Sequence, residues 1–158
     1  MITSFFSEMS KELVTFFLAM IPLIELKGAI SIAVLKFNLA PQVAFVYSVM
    51  GSTVMSVVVF VLLKFLLIKA IVKIGFIDKL WKNSVGALRS RSRKKFKIGE
   101  GLAILFLSVV PVPGLGSFVA AILAALLQTN TSRAISWLIL GNFLSGGVVL
   151  VVLWGLGK

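Results

Sequence analysis

At 158 residues the chain suits one domain, yet 59% of it is hydrophobic and its mean hydropathy is +1.12. A water-soluble fold of this size could not bury so much apolar side chain, so lipid is the expected solvent. With no cysteine and no histidine, disulfides, thiolate metal centres and imidazole chemistry are excluded, and no metal site or cofactor is expected. The net charge of +11 is not spread as a nucleic-acid footprint would be, since eleven basic residues and one acid, Asp78, lie between Lys64 and Lys97. That stretch carries +10 and leaves +1 for the rest, the bias expected of a single cytoplasmic loop.

From the N-terminus, Met1–Leu13 sets Glu8 and Glu12 against Lys11, and no A-x-A site follows. It is therefore not read as a secretory signal. Leu13–Ile21 is a short apolar piece broken at Pro22. Glu25-Leu26-Lys27-Gly28 is expected to interrupt, and Ala29–Leu35 is apolar again. Leu39–Leu63 follows, 25 residues without a charge, long enough to cross a hydrocarbon core of about 30 Å.

Lys64–Trp81 is expected to continue that span and then lie at the interface, with Trp81 at headgroup depth. Arg89–Lys97 is a polybasic run that predicts attraction to anionic lipid headgroups, not nucleic acid. Gly101–Ser132 is charge-free but is broken by Pro111-Val112-Pro113-Gly114-Leu115-Gly116. The flanking pieces, Leu102–Val110 and Ser117–Leu127, are each too short to span: ten helical residues reach about 15 Å. Ala134–Gly157 is a second full span of 24 residues.

The two halves share one plan. Placing Pro22 on Pro111 sets Leu26 on Leu115, and one residue of slip then pairs Tyr47 with Trp137, Gly51 with Gly141 and Val58-Val59 with Val148-Val149. The expected fold is all-α and membrane-integral, an inverted repeat of re-entrant helical hairpin plus transmembrane helix. Repeat 1 covers 13–63, a basic cytoplasmic linker 64–100, and repeat 2 101–157. A competing topology makes both broken segments full spans, giving four crossings, but Glu25 and Lys27 would then lie inside a lipid-crossing helix at notable cost. Inverted repeats whose broken helices meet near the midplane are a way secondary transporters build a site.

Glu25 stands out as the carboxylate inside an apolar region, and an intramembrane acid is by default a candidate for loading and releasing a proton. Lys27 is two residues on, off the same face of a regular helix, and could pair with it, bind an anion or only snorkel. Pro22, Pro111, Pro113, Gly114 and Gly116 offer exposed backbone and helix ends that could face an ion. Ser48, Ser52 and Ser56 recur every four residues, a stripe that favours close helix packing; their counterparts under the repeat register are Leu138, Asn142 and Gly146, of which Asn142 could touch a substrate or a hairpin tip. No clustered acids and no nucleophile beside a base point to an enzyme.

Pro22-Leu-Ile-Glu-Leu-Lys-Gly-Ala-Ile30 resembles the proline–glutamate–arginine/lysine–glycine signature of the putative small multidrug export protein family, and Pro111–Gly116 followed by Gly141-Asn142 resembles its second half. The resemblance runs from about Leu13 to Trp154. The family is in turn distantly similar to the DedA superfamily, whose two facing re-entrant hairpins are linked to proton-driven transport and lipid-carrier flipping or scrambling. Lys27 stands where that pattern has arginine, Ser31 where a proline often follows, and the second hairpin lacks the charges of the fuller DedA pattern. The resemblance implies a multi-pass inner-membrane transporter or flippase of a small or lipid-like substrate. Glu25 would be the proton-linked acid, and a dimer or larger assembly would close the path. An uncoupled lipid scramblase and a non-transporting assembly protein are the alternatives.

Overall fold

A computed structural model describes residues 10–73, 93–110 and 116–156. Trp81, Pro111, Pro113, Gly114 and most of the basic linker lie outside the described residues. Among the described residues six helices follow in order: α1 Lys11–Met20, α2 Glu25–Leu35, α3 Pro41–Lys73, α4 Arg93–Val109, α5 Ser117–Leu126 and α6 Thr131–Gly155. Helices α3 and α4 reach into the stretch expected as linker from either side. Among the described residues two helices are long and apolar enough to cross a membrane, Pro41–Leu67 with mean hydropathy 2.2 and Thr131–Gly155 with 2.0. Only 22% and 28% of their most apolar windows are buried inside the molecule, so most of that surface must meet an apolar surrounding.

Helix α1 stops where Pro22 requires. The residue before a proline is pushed out of the α region, and Ile21 is extended at φ −75°, ψ 121°. The break is shorter than the sequence suggests. Ile21–Ile24 forms the turn, and Glu25, expected in the interruption, is the first residue of α2. Glu25 has φ +52°, a left-handed conformation that costs a non-glycine residue about 1–3 kcal/mol. Asn38 and Gln128, just past α2 and α5, also have positive φ, the usual way of ending a helix.

Helices α1 and α2 pack on each other and on α3, while α4 and α5 pack on each other and on α6. Each short pair also reaches across: α2 touches α6, and α5 packs on α3. Small residues permit these approaches, as is usual where lipid supplies no hydrophobic drive between helices. A Cβ on Gly51 would stand 2.2 Å from the Phe16 carbonyl oxygen and 3.1 Å from Ala19 Cβ. One on Gly141 would stand 2.4 Å from Ser108 Cβ and 3.8 Å from the Leu105 carbonyl oxygen. Four buried alanines of α5 (Ala120, Ala121, Ala124 and Ala125) join Phe60, Ile104 and Leu138 in the larger apolar core. A smaller one gathers Leu26, Ile30 and Leu153.

The ends of each broken segment are tied together. Lys11 Nζ, at the start of α1, donates to the Phe37 carbonyl just past α2 at 2.9 Å. Glu100 on α4 accepts from the hydroxyl of Thr129, just past α5, and Lys64 near the far end of the first span donates to the Thr129 carbonyl at 2.8 Å.

Candidate functional site

The first break lies against the middle of α3. Met20, Pro22 and Glu25 share a small cavity with Ser52, Met55 and Ser56 of α3 and with Ser117 and Phe118 of α5. Its volume, counted over positions a water centre can take, is about 10 Å³, room for one water.

Glu25 is 3% exposed, and its carboxylate reaches the second half of the chain. Oε1 accepts from Ser117 Oγ at 2.8 Å and from the Phe118 backbone N–H at 3.2 Å. Those donors belong to the first turn of α5, whose own cap residue, Gly116, has no side chain to offer. The first turn of a helix leaves N–H groups unpartnered and carries positive dipole charge, so a carboxylate supplied from another segment answers both needs. Gly116 is required by this approach, because a Cβ there would stand 2.1 Å from Glu25 Oε2. Oε2 accepts no hydrogen bond and lies 3.8 Å from Lys27 Nζ.

Lys27 serves the opposite end of the same break. Its ammonium donates to the carbonyl oxygen of Val110, the residue after α4, where the helix dipole is negative. A charged pair from the first broken segment thus reaches both helix ends that flank the second break.

The network extends to the full spans. Ser117 gives its one proton to Glu25, so in its 2.8 Å contact with Ser52 it is Ser52 that donates. Ser52 also stands 3.3 Å from Asn142 Oδ1, and Asn142 Nδ2 donates to Thr53 Oγ1 at 3.1 Å and Ser56 Oγ at 3.4 Å. Ser56 returns its proton to the Ser52 carbonyl at 2.6 Å. Four helices, α2, α3, α5 and α6, therefore meet through one buried hydrogen-bonded group.

Of the candidates read from sequence, Glu25, Lys27, Pro22 and Gly116 come together here, and Asn142 joins through Ser56, which bonds the Ser52 carbonyl. Pro111, Pro113 and Gly114 lie outside the described residues. Ser52 and Ser56 do more than pack. Ser117 and the Val110 and Phe118 backbone groups were not singled out, though a serine right after a Pro–Gly break is a legible helix start. Glu25 is also not the lone buried acid: Glu100, counted with the basic linker, is 6% exposed and bound by Thr129. Its neighbours in sequence are charged and glycine-rich, which hid it.

No curated protein and no solved structure matches the chain significantly. Residues 25–148 match the family model described as putative small multi-drug export protein. That stretch begins at Glu25, covers the whole network above and amounts to most of the sequence, so the chain belongs to the small multi-drug export protein family.

Proposed function

We propose that this chain is a multi-pass transporter of the cell membrane, built as an inverted repeat of hairpin plus span, in which Glu25 is a proton-sensitive latch between the hairpins. The observation that carries the reading is the Glu25 carboxylate seated on the first turn of α5, far from it in sequence. As a carboxylate, Glu25 accepts both bonds and holds the hairpins together. Protonated, it loses its charge, its hold on the helix dipole weakens and the tips are free to part.

The hairpin part of the reading is supported by the end-to-end ties, Lys11 to Phe37 and Glu100 to Thr129, which return each broken segment to the level where it began. The repeat is supported by packing. The register that pairs Pro22 with Pro111 pairs Phe16 with Leu105 and Ala19 with Ser108, the residues facing Gly51 and Gly141. The same two-hairpin plan is what the resemblance to the DedA superfamily implies. With the basic linker cytoplasmic, the first hairpin opens outward and the second inward. Two full spans per chain make a closed path the work of a dimer or larger assembly.

The test is substrate-dependent proton flux in vesicles, followed with a pH-sensitive dye across a panel of cationic, anionic and zwitterionic drugs. Glu25→Gln keeps the shape and an acceptor oxygen, so the protein folds while the flux disappears. A wild-type chain silent toward the whole panel, or a Glu25→Gln variant with unchanged flux, overturns the reading.

A further inference from the structure

We propose that Glu100 is a second proton-binding site, at the base of the second broken segment, and that it and Glu25 grip the two ends of one helix, α5. The proposal rests on the transporter reading for its purpose, since it names a second group through which a proton acts on the segment that Glu25 latches. Its geometry is separate.

Helix α5 is held by its ends. At the N-terminus the Glu25 carboxylate accepts from Ser117 Oγ and the Phe118 N–H. At the C-terminus the chain closes in the pattern that ends many helices. Gln128, at φ +49°, donates its N–H to the Ala125 carbonyl at 2.9 Å, and Thr129 donates its own to the Ala124 carbonyl at 3.0 Å. Thr129 is thereby fixed to the last turn of α5, and whatever holds the threonine holds the helix. Its hydroxyl donates to Glu100, and its carbonyl accepts from Lys64, which also donates to Thr131 Oγ1 at 3.0 Å and lies 5.2 Å over the Phe60 ring. Acid and threonine are both buried. Between the two grips little locks the helix, because its buried residues after Ser117 are four alanines, without the long side chains that interdigitate. Ten helical residues reach about 15 Å, so the two acids act on one short rod from opposite ends.

A proton arriving at this end has one carboxylate to meet, since Glu100 is the single acid after Asp78. Of the helices packed on α4, α5 has no charged residue and α6 has Arg133 in its first turn. From α3 comes Lys64, with Lys69 and Lys73 beyond it, and on α4 itself Arg93, Lys94, Lys95 and Lys97 precede Glu100. A hydrogen bond to a carboxylate is about twice as strong as one between neutral groups. Protonation of Glu100 therefore loosens its hold on the Thr129 hydroxyl and frees the C-terminal end of α5. The matching tie of the first segment, Lys11 to the Phe37 carbonyl, contains no acid. Proton sensitivity at the base thus belongs to the second segment.

The test follows α5 itself, by amide hydrogen exchange and mass spectrometry on the full chain in detergent, with rates corrected for the intrinsic effect of pH. In the wild type, amides in the C-terminal half of α5 should exchange faster as the pH is lowered through the carboxyl range. Glu100→Gln copies the protonated acid, and should speed that exchange about tenfold and abolish its pH dependence. Thr129→Val should also speed it, whereas Thr129→Ser, which keeps the hydroxyl, should match the wild type. That pair carries the test if the Glu100 variant does not fold. A pH profile that Glu100→Gln leaves unchanged overturns the proposal and makes Glu100 a structural tie alone. Exchange in Thr129→Val equal to that of the wild type overturns it too. The transporter reading fails separately: drug-driven proton flux can be absent while α5 responds as described, and Glu25-dependent flux can persist while it does not.

Discussion

Glu25 is satisfied by residues it could not meet locally. Its own helix offers it no partner except Lys27, and its two donors are 92 and 93 positions away. Hydrogen bonds to charged groups contribute about 1.5–3 kcal/mol, so Ser117→Ala should lower stability by that amount, read as a drop in the thermal midpoint in detergent. Asn142→Leu should cost less, since side-chain bonds between membrane helices average about 0.6 kcal/mol, and Ser56, which loses Asn142 as a donor, keeps its own bond to the Ser52 carbonyl. Glu25 was legible in the sequence as an acid among apolar residues. Its acceptor role was not, because capping a distant helix leaves no local signature. Glu25-Leu-Lys-Gly therefore looked like an interruption when it is the opening turn of α2.

Proline and glycine made the elements legible. Pro22 ends α1 at Met20, two residues before itself, and the charge-free stretches matched both long helices to within a few residues of their starts. What the sequence could not show is which glycines face a neighbour. Gly51 and Gly141 meet backbone or a packed side chain, whereas Gly147 has nothing within 4 Å. Gly51→Ala and Gly141→Ala should each destabilise by about 1–3 kcal/mol, the usual cost of overpacking. Gly147→Ala should be neutral or slightly stabilising, since alanine is the better helix former by up to about 1 kcal/mol. Measuring all three in one background separates tight packing from helix propensity, and equal effects would contradict the contacts described.

For the whole molecule, the direction of each broken segment is the testable quantity. The chain has no cysteine, so single cysteines report without interference. Ser10 and Asn38 are exposed at the two ends of the first segment, and Ile98 and Ser132 at the two ends of the second. With both segments returning to their own side, a membrane-impermeant thiol reagent should label Ser10→Cys and Asn38→Cys from one face, and Ile98→Cys and Ser132→Cys from the other. A four-crossing chain would instead split each pair. The lipid-facing surface was legible from hydropathy alone, because periodicity hardly matters where most of a helix meets lipid. A site between the two breaks was expected from the repeat, but the polar pairs that join them were not legible, because they cross from one half of the chain to the other.

The long reach between Glu25 and α5 also bears on how the chain is made. The first segment leaves the ribosome well before Ser117 and Phe118 exist, so its acid and lysine enter the membrane with only each other for company. Each charge placed alone at the bilayer centre is disfavoured by about 3 kcal/mol on insertion scales, while a neutral pair is far easier to carry. The half-made protein should accordingly linger at the surface or inside the insertion machinery, and its first broken segment should settle only when α5 arrives. Completion of synthesis, and not emergence of the first span, would then set the moment at which the chain becomes safe from quality-control proteolysis.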